Sequence, residues 1–281
     1  MSGQAIAATA SPSATPARAP RRGPPLHRRL INVRRFLVPV LLVILWQLAA
    51  DAGLISTRLL APPAAIASAA WELIASGELP YHLLVSLQRV AIGLAIALTA
   101  GVSLGLIAGL SKLGEDAVDA TLQMLRALPF LALVPLFILW LGIGEATKIA
   151  LVALGATFPI YLTLFGGIRG VDPKLLEAGR ILGLNRAEQI RHIILPGALP
   201  QALVGLRYAL GTAWLSLVVG EQINATAGIG FLVMDAREFL RTDIILVGLV
   251  VYALLGLGAD QLVRALERRT LAWRPSLIRE A

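Results

Sequence analysis

Few residues in this chain have types and spacings suited to covalent chemistry. The three histidines, His27, His82 and His192, lie far apart and form no H-x-x-x-H pair, so a metal site has no support. Cysteine is absent, which excludes thiolate nucleophiles, thiolate metal sites and disulfides. No G-x-x-x-x-G-K-[ST] loop occurs, so ATP has no phosphate cradle here. Nor do His, Asp and Glu converge within an apolar stretch, as a membrane-embedded enzyme needs. No catalytic residue, cofactor or metal is expected. What remains is charge placed inside apolar sequence: Arg89 beside Gln88, then Arg126, Arg207 and Glu221. Ionisable groups at membrane depth point to function by default. A cation or a helix N-terminus along a path favours an anion. The competing readings are snorkelling, above all for Arg89 and Arg126, and pairing with a buried acid. Arg89 is placed toward the outer end of its span and Arg126 near the inner end of its own. Arg207 sits deeper and is the first candidate for a transport path. Glu221 ends the same span and reads equally as a structural partner at its mouth.

These residues need a membrane scaffold. Hydrophobic residues make up 57% of the 281 positions and charged residues only 15%, too little charge to cover a soluble surface. Six apolar stretches lie near 36–55, 83–110, 122–143, 147–166, 199–220 and 244–264, each about 20 residues or more, the length of a bilayer crossing. The fold class is therefore all-α, a polytopic membrane protein with about six spans. Residues 1–29 are rich in Ala, Ser, Pro and Arg without apolar period, and read as a disordered tail. The expected organisation is a basic tail over 1–35, a first span and connection over 36–80, the main helical domain over 81–266, and a second tail over 267–281. Arg34-Arg35-Phe36-Leu37 also looks like a twin-arginine export signal. That reading suits a soluble domain behind it, whereas the rest of this chain is itself apolar. Basic residues cluster in the N-terminal segment, in the 167–198 loop and at the C-terminal end, which six spans place on one side. Both termini and that loop are thus expected to be cytoplasmic.

Within the spans, Ala97, Gly101, Gly105 and Gly109 recur every fourth residue and form a small-residue stripe. It serves packing within the chain or, alternatively, a dimer contact. Pro129 and Pro135 interrupt the third span and make it a candidate pathway wall, since broken helices at membrane depth line cavities or are buried in protein. The segment 221–243 mixes Gly, Asn and charge with Phe231-Leu232-Val233-Met234. It reads either as a re-entrant, gate-like element or as a surface cap.

The most punctuated segment runs from Val171 to Pro200. Asp172 caps a helix with Pro173 at its first position, and Gly183 ends it. Asn185 caps a second helix, with Glu188 three residues on in capping-box spacing. Pro196 is expected to stop that helix and Pro200 to start the next span. Apolar stripes run through Leu175, Ala178, Gly179 and Leu182, and through Ile190, Ile193 and Ile194. The prediction is a compact helix–turn–helix. Physics alone leaves two uses for it: docking a partner, or lying on anionic lipid.

This segment resembles the E-A-A loop of ABC importer permeases. Glu177-Ala178-Gly179 is followed after three residues by Gly183, and after nine more by Ile193-Ile194-Leu195-Pro196. One position departs, with Gly179 where the pattern has a third alanine, at some cost in helix propensity. The resemblance spans about Leu83 to Trp273. Leu195-Pro196-Gly197-Ala198-Leu199-Pro200, Gly220-Glu221-Gln222-Ile223, Gly228-Ile229-Gly230, Asp235 to Leu240 and Thr242-Asp243 resemble the nitrate, sulfonate and taurine branch, above all its aliphatic sulfonate permeases. The resemblance implies a type-1 importer permease fold in the bacterial inner membrane and a homodimeric or pseudo-dimeric core. It also implies two ABC ATPase subunits, a periplasmic solute-binding protein and no nucleic-acid partner. Loop 171–198 becomes the coupling element, in which Glu177 makes a polar contact at the joint. Ala178, Gly179 and Gly183 permit tight docking and a sharp turn, and Ile193, Leu195 and Pro196 complete the motif. A small anion, an aliphatic sulfonate first and then taurine or nitrate, is the implied cargo. A secondary transporter would need acidic relay residues inside its spans, and only Asp51 and Glu221 lie near span ends.

Overall fold

The computed structural model describes residues 26–223 and 225–273, and those residues contain helices and no strand. Helix α1 covers Leu26–Asp51 and α2 covers Pro63–Ala75, then α3 Glu78–Leu110, α4 Lys112–Ala127 and α5 Val134–Leu141. Next come α6 Glu145–Arg169, α7 Pro173–Ile181, α8 Arg186–Gln189, α9 Leu195–Gln222, α10 Ile229–Glu238 and α11 Thr242–Thr270. Among the described residues, four continuous helices are long and apolar enough to cross a bilayer: α3, α6, the joined run Arg186–Gln222, and α11. The other two expected crossings are α1, whose apolar part is Leu37–Asp51, and the broken pair α4–α5. Residues 1–25 and 274–281 lie outside the described residues, while α1 already begins at Leu26, inside the segment expected to be tail.

Helix α6 sits at the centre, between α3 and α9. The small-residue stripe of α3 explains why. A Cβ on Gly93 would lie 2.6 Å from Val152, one on Gly101 2.9 Å from Ile160, and one on Gly109 2.7 Å from Ile168. Each glycine therefore seats a branched side chain of α6, and van der Waals packing of the two backbones replaces the hydrophobic drive that lipid cannot supply. The stripe is used within the chain. Val90, Ala97, Val152, Ala156, Ile160, Ala209, Ala213 and Leu217 form the layer where α3, α6 and α9 meet. A second cluster of α2, α3, α10 and α11, around Ala69, Leu73, Leu79, Ile229, Leu232 and Val247, closes the end of the bundle away from the α7–α8 hairpin.

The third span is broken at Pro129, as its sequence suggests, whereas the expectations for Pro135, Pro196 and Pro200 need correction. Helix α4 stops at Ala127, Leu128 is extended, and a 3-10 turn over Phe130–Leu133 leads into α5. Pro129 explains the break, because its ring drives the preceding residue out of the helical region. Pro135 does not interrupt anything. It occupies the first turn of α5, where a missing N–H leaves no bond unmade. Likewise Pro196 does not stop α8. The chain runs on through a π-turn, Ile190–Ile194, in which Leu195 N–H donates to Ile190 C=O, straight into α9. A helix that widens for one turn accommodates the proline that follows, as π-bulges do at functional sites. Pro200 then lies inside α9 rather than at its start.

Candidate functional site

The hairpin is built as its capping residues require. Asp172 Oδ1 accepts from Lys174 N at 2.9 Å and opens α7. At the other end Gly183, with φ +83°, donates to Arg180 C=O at 3.0 Å, and Leu184 N donates to Gly179 C=O at 2.9 Å. This is a Schellman closure, and the left-handed φ is why glycine stands there. Asn185 and Glu188 form the full capping box: Asn185 Oδ1 accepts from Glu188 N at 3.0 Å, and Glu188 Oε2 accepts from Asn185 N at 2.8 Å. Gln189, which sequence reasoning passed over, is buried and donates to Leu184 C=O at 2.9 Å, tying the turn to the second helix.

The apolar stripe of α7 faces the other way from the expected packing. Only Gly179 is buried, against Ile193, whose Cδ1 lies 2.7 Å from a Cβ built there. Leu175, Ala178, Ile181 and Leu182 point outward, with Ile181 86% and Leu182 80% exposed. Glu177 is exposed on the same short helix. Ile193 and Ile194 are half-buried, Ile194 against Leu164, Ile168 and Ala198, while Leu195 is 38% exposed. Pro196 lies at the start of α9, half-buried. The hairpin is fixed to the bundle by Arg186, whose Nη2 donates to Leu110 C=O at 3.0 Å, while just before it Arg169 at the end of α6 pairs with Glu115 of α4. Leu110 ends α3, whose last carbonyls carry partial negative charge, so Arg186 matches both the bond and the dipole.

At the opposite end, Arg89 does not snorkel but is buried and paired with acids, the other reading open to it. Arg89 is 3% exposed and donates to Glu145 Oε2 at 2.6 Å and Oε1 at 2.7 Å, to Glu221 Oε1 at 2.7 Å and to Ala227 C=O at 2.6 Å. Glu221 also accepts from Ser86 Oγ and from Gly230 N, both at 2.7 Å. Gly228 N donates to His82 Nδ1 at 3.0 Å and Ile229 N to Ser86 Oγ at 2.9 Å. His82, Ser86 and Arg89 share one face of α3; His82, Ser86 and Glu221 accept from the free N–H groups that open α10, while Arg89 donates to Glu221 and to the Ala227 carbonyl just before it. Gly228 has φ +115°, and a side chain there would run into the Glu221 carboxylate. Helix α10 is thus a packed cap, with Ile229, Gly230, Leu232 and Ala236 buried. Glu221 stands as a structural partner in this network.

Arg207 is also matched. Its Nη2 donates to Glu267 Oε1 at 2.8 Å and Oε2 at 2.9 Å, and its Nε lies 3.2 Å from Asp260 Oδ1. It ties α9 to α11. Arg126 differs: it is exposed and, among the described residues, has no ion pair or hydrogen bond. Pro129 and Pro135 are both exposed beside it in the chain, at the α4–α5 break.

Residues 101–272 match the family model of the binding-protein-dependent transport system inner membrane component. The chain belongs to that family. Among its relatives, the putative aliphatic sulfonates transport permease SsuC of Escherichia coli is 50% identical over 252 residues, 90% of this chain and 96% of the relative. The SsuC protein of Bacillus subtilis is 44% identical, covering 91% and 92%. The taurine transport permease TauC of Escherichia coli is 37% identical, covering 83% and 86%. The fold of this inner membrane component is that of solved ABC transporters. An amino acid ABC transporter matches with TM-score 0.58 at 18% identity, over 67% of this chain and 92% of the other. The MetNI methionine transporter matches with TM-score 0.51 at 20% identity, over 64% and 92%. The type-1 importer permease fold expected from the E-A-A resemblance is therefore present.

Proposed function

We propose that this permease carries an aliphatic sulfonate across the bacterial inner membrane, as a dimer driven by two separate ABC ATPase subunits and supplied by a periplasmic binding protein. Similarity to SsuC over nearly its whole length supports the cargo. The exposed face of α7 supports the drive: Ile181 and Leu182 are presented to a partner rather than to the bundle. Exposed apolar side chains on a rigid, capped hairpin are what a docking surface needs. In this reading α7 and α8 face the cytoplasm with both chain termini, and α2 and α10 close the periplasmic end. Arg186 and the continuous α8–α9 run pass the motion of the ATPase pair to the membrane helices.

The test is reconstitution in proteoliposomes with the partner ATPase and binding protein. The expected result is alkanesulfonate uptake that needs ATP, and loss of ATPase co-purification with Leu182→Asp. Because the chain has no cysteine, Leu182→Cys gives a clean label for sidedness. Uptake without the ATPase, or labelling of that introduced thiol only from the periplasm, refutes the proposal.

A further inference from the structure

Three arginines lie along the spans, and the structure separates them. Arg89 has two carboxylates and a carbonyl, and Arg207 has two carboxylates from α11. Arg126 has no such partner among the described residues. It stands fourteen residues after Lys112 on α4, which places it about 21 Å along the helix. Counted from Lys112 as the inner end of α4, that distance exceeds half of the roughly 30 Å hydrocarbon thickness, so Arg126 lies nearer the midplane than the inner end expected for it. The nearest acid before it on α4, Asp119, already accepts from Tyr161 Oη at 2.8 Å.

Arg126 borders a cavity of about 300 Å³ between α4, α6 and α9, at the lower end of ligand-pocket sizes of about 300–1,000 Å³. Its wall includes Arg126 and Leu128 at the helix break, Leu154 and Phe158 of α6, and Thr212 and Ser216 of α9. Ser216 is 4% exposed, so a hydroxyl lies at the buried end of a mostly apolar wall. The levels agree from the other side. Leu154 is nine residues from the start of α6, about 14 Å from the periplasmic end. An unmatched guanidinium at this depth requires an anion or water, and broken helices at the midplane are where transporters place their sites.

We infer that this cavity is a transient midplane site for the transported alkanesulfonate, with Arg126 facing the sulfonate group and Leu128, Leu154 and Phe158 taking the alkyl chain. The inference rests on the importer reading. A fixed cation with an apolar wall suits an anion that carries a short hydrocarbon tail. It suits an inorganic anion, which has no surface to bury, less well.

The experiment uses the reconstituted complex and the series from methanesulfonate to hexanesulfonate. Arg126→Gln lowers uptake per ATP hydrolysed at least tenfold, and Arg126→Lys recovers most of it. Leu154→Trp, which fills the wall, leaves methanesulfonate uptake within about twofold and lowers hexanesulfonate uptake at least tenfold. A second measurement needs no transport. In the complex carrying Leu154→Cys, hexanesulfonate slows modification by a sulfonate-bearing methanethiosulfonate reagent at least threefold, and Arg126→Gln in the same background removes the protection. Unchanged uptake with Arg126→Gln, equal losses for every chain length with Leu154→Trp, or no protection of the thiol introduced by Leu154→Cys overturns the site. Modification blocked equally with and without sulfonate marks a lipid or a second copy as the occupant, and overturns it too. If the unmodified complex takes up no alkanesulfonate, the importer reading fails instead, and that arm is read first.

Discussion

Replacing Glu221 by alanine removes a fully buried carboxylate that accepts from Ser86 Oγ, Arg89 Nη1 and Gly230 N, each at 2.7 Å. Removing one partner of a buried ion pair costs about 3–5 kcal/mol, because the other charge stays behind without water. Here Glu145 still holds Arg89, so the lower end, about 3 kcal/mol, is expected. Most of that cost falls on the opening of α10, where Gly230 N loses its acceptor and Ser86, which accepts from Ile229 N, loses the carboxylate that holds it. About 3 kcal/mol corresponds to roughly a hundredfold rise in the open population, at about 1.4 kcal/mol per tenfold. Hydrogen exchange measured by mass spectrometry on the detergent-solubilised protein reads this directly at Gly228, Ile229 and Gly230. Glu221→Gln retains one acceptor oxygen, so an intermediate rise, about tenfold, is expected there. The control is Glu267→Ala, which breaks a bridge to the 36% exposed Arg207 side chain. Such a pair is worth about 0–1 kcal/mol, and exchange at 228–230 stays unchanged. If Glu221→Ala raises exchange at these three amides by less than threefold, the carboxylate does not hold α10 and the network has no such role.

Other perturbations follow from single contacts. Gly101→Leu forces side-chain volume against Ile160 at 2.9 Å and lowers stability by about 1–3 kcal/mol or more, read as a fall in detergent melting temperature, while Gly256→Ala meets open space and leaves it near the starting value. Gly179→Ala restores the third alanine of the motif; it gains about 1 kcal/mol of helix propensity and asks the side-chain tips of Ile193 and, slightly, Leu184 to shift, so ATPase co-purification is expected to persist. Asn185→Ala removes one side of the capping box and costs about 1 kcal/mol, seen as faster exchange at Glu188 with no change in the spans.

The hairpin was largely legible because its signals are local. Asp172, Gly183 and the Asn185–Glu188 box act on backbone groups within five residues, and each does what its type predicts. Which face of α7 packs inward was not legible, because Leu176 and Gly179 face Ile193 and the end of the bundle only once α9 is in place. The break after α4 was signalled by Pro129, but its extent depended on the extended Leu128 and the 3-10 turn beyond it. The π-turn before Pro196 had no sequence signal beyond the proline itself.

The sequence by itself determined that this is a helical membrane protein with a capped hairpin between its fourth and fifth crossings, because hydropathy and capping act over one helix or one turn. Only the tertiary structure decided what each buried charge does. Arg89 reaches Glu221 across 132 positions of chain, and Arg207 reaches Glu267 across 60. Arg126, of the same residue type, finds no acid among the described residues. A guanidinium carries the same charge wherever it stands in the chain. Whether it binds the fold together or stays available to a passing anion depends on which helices pack beside it.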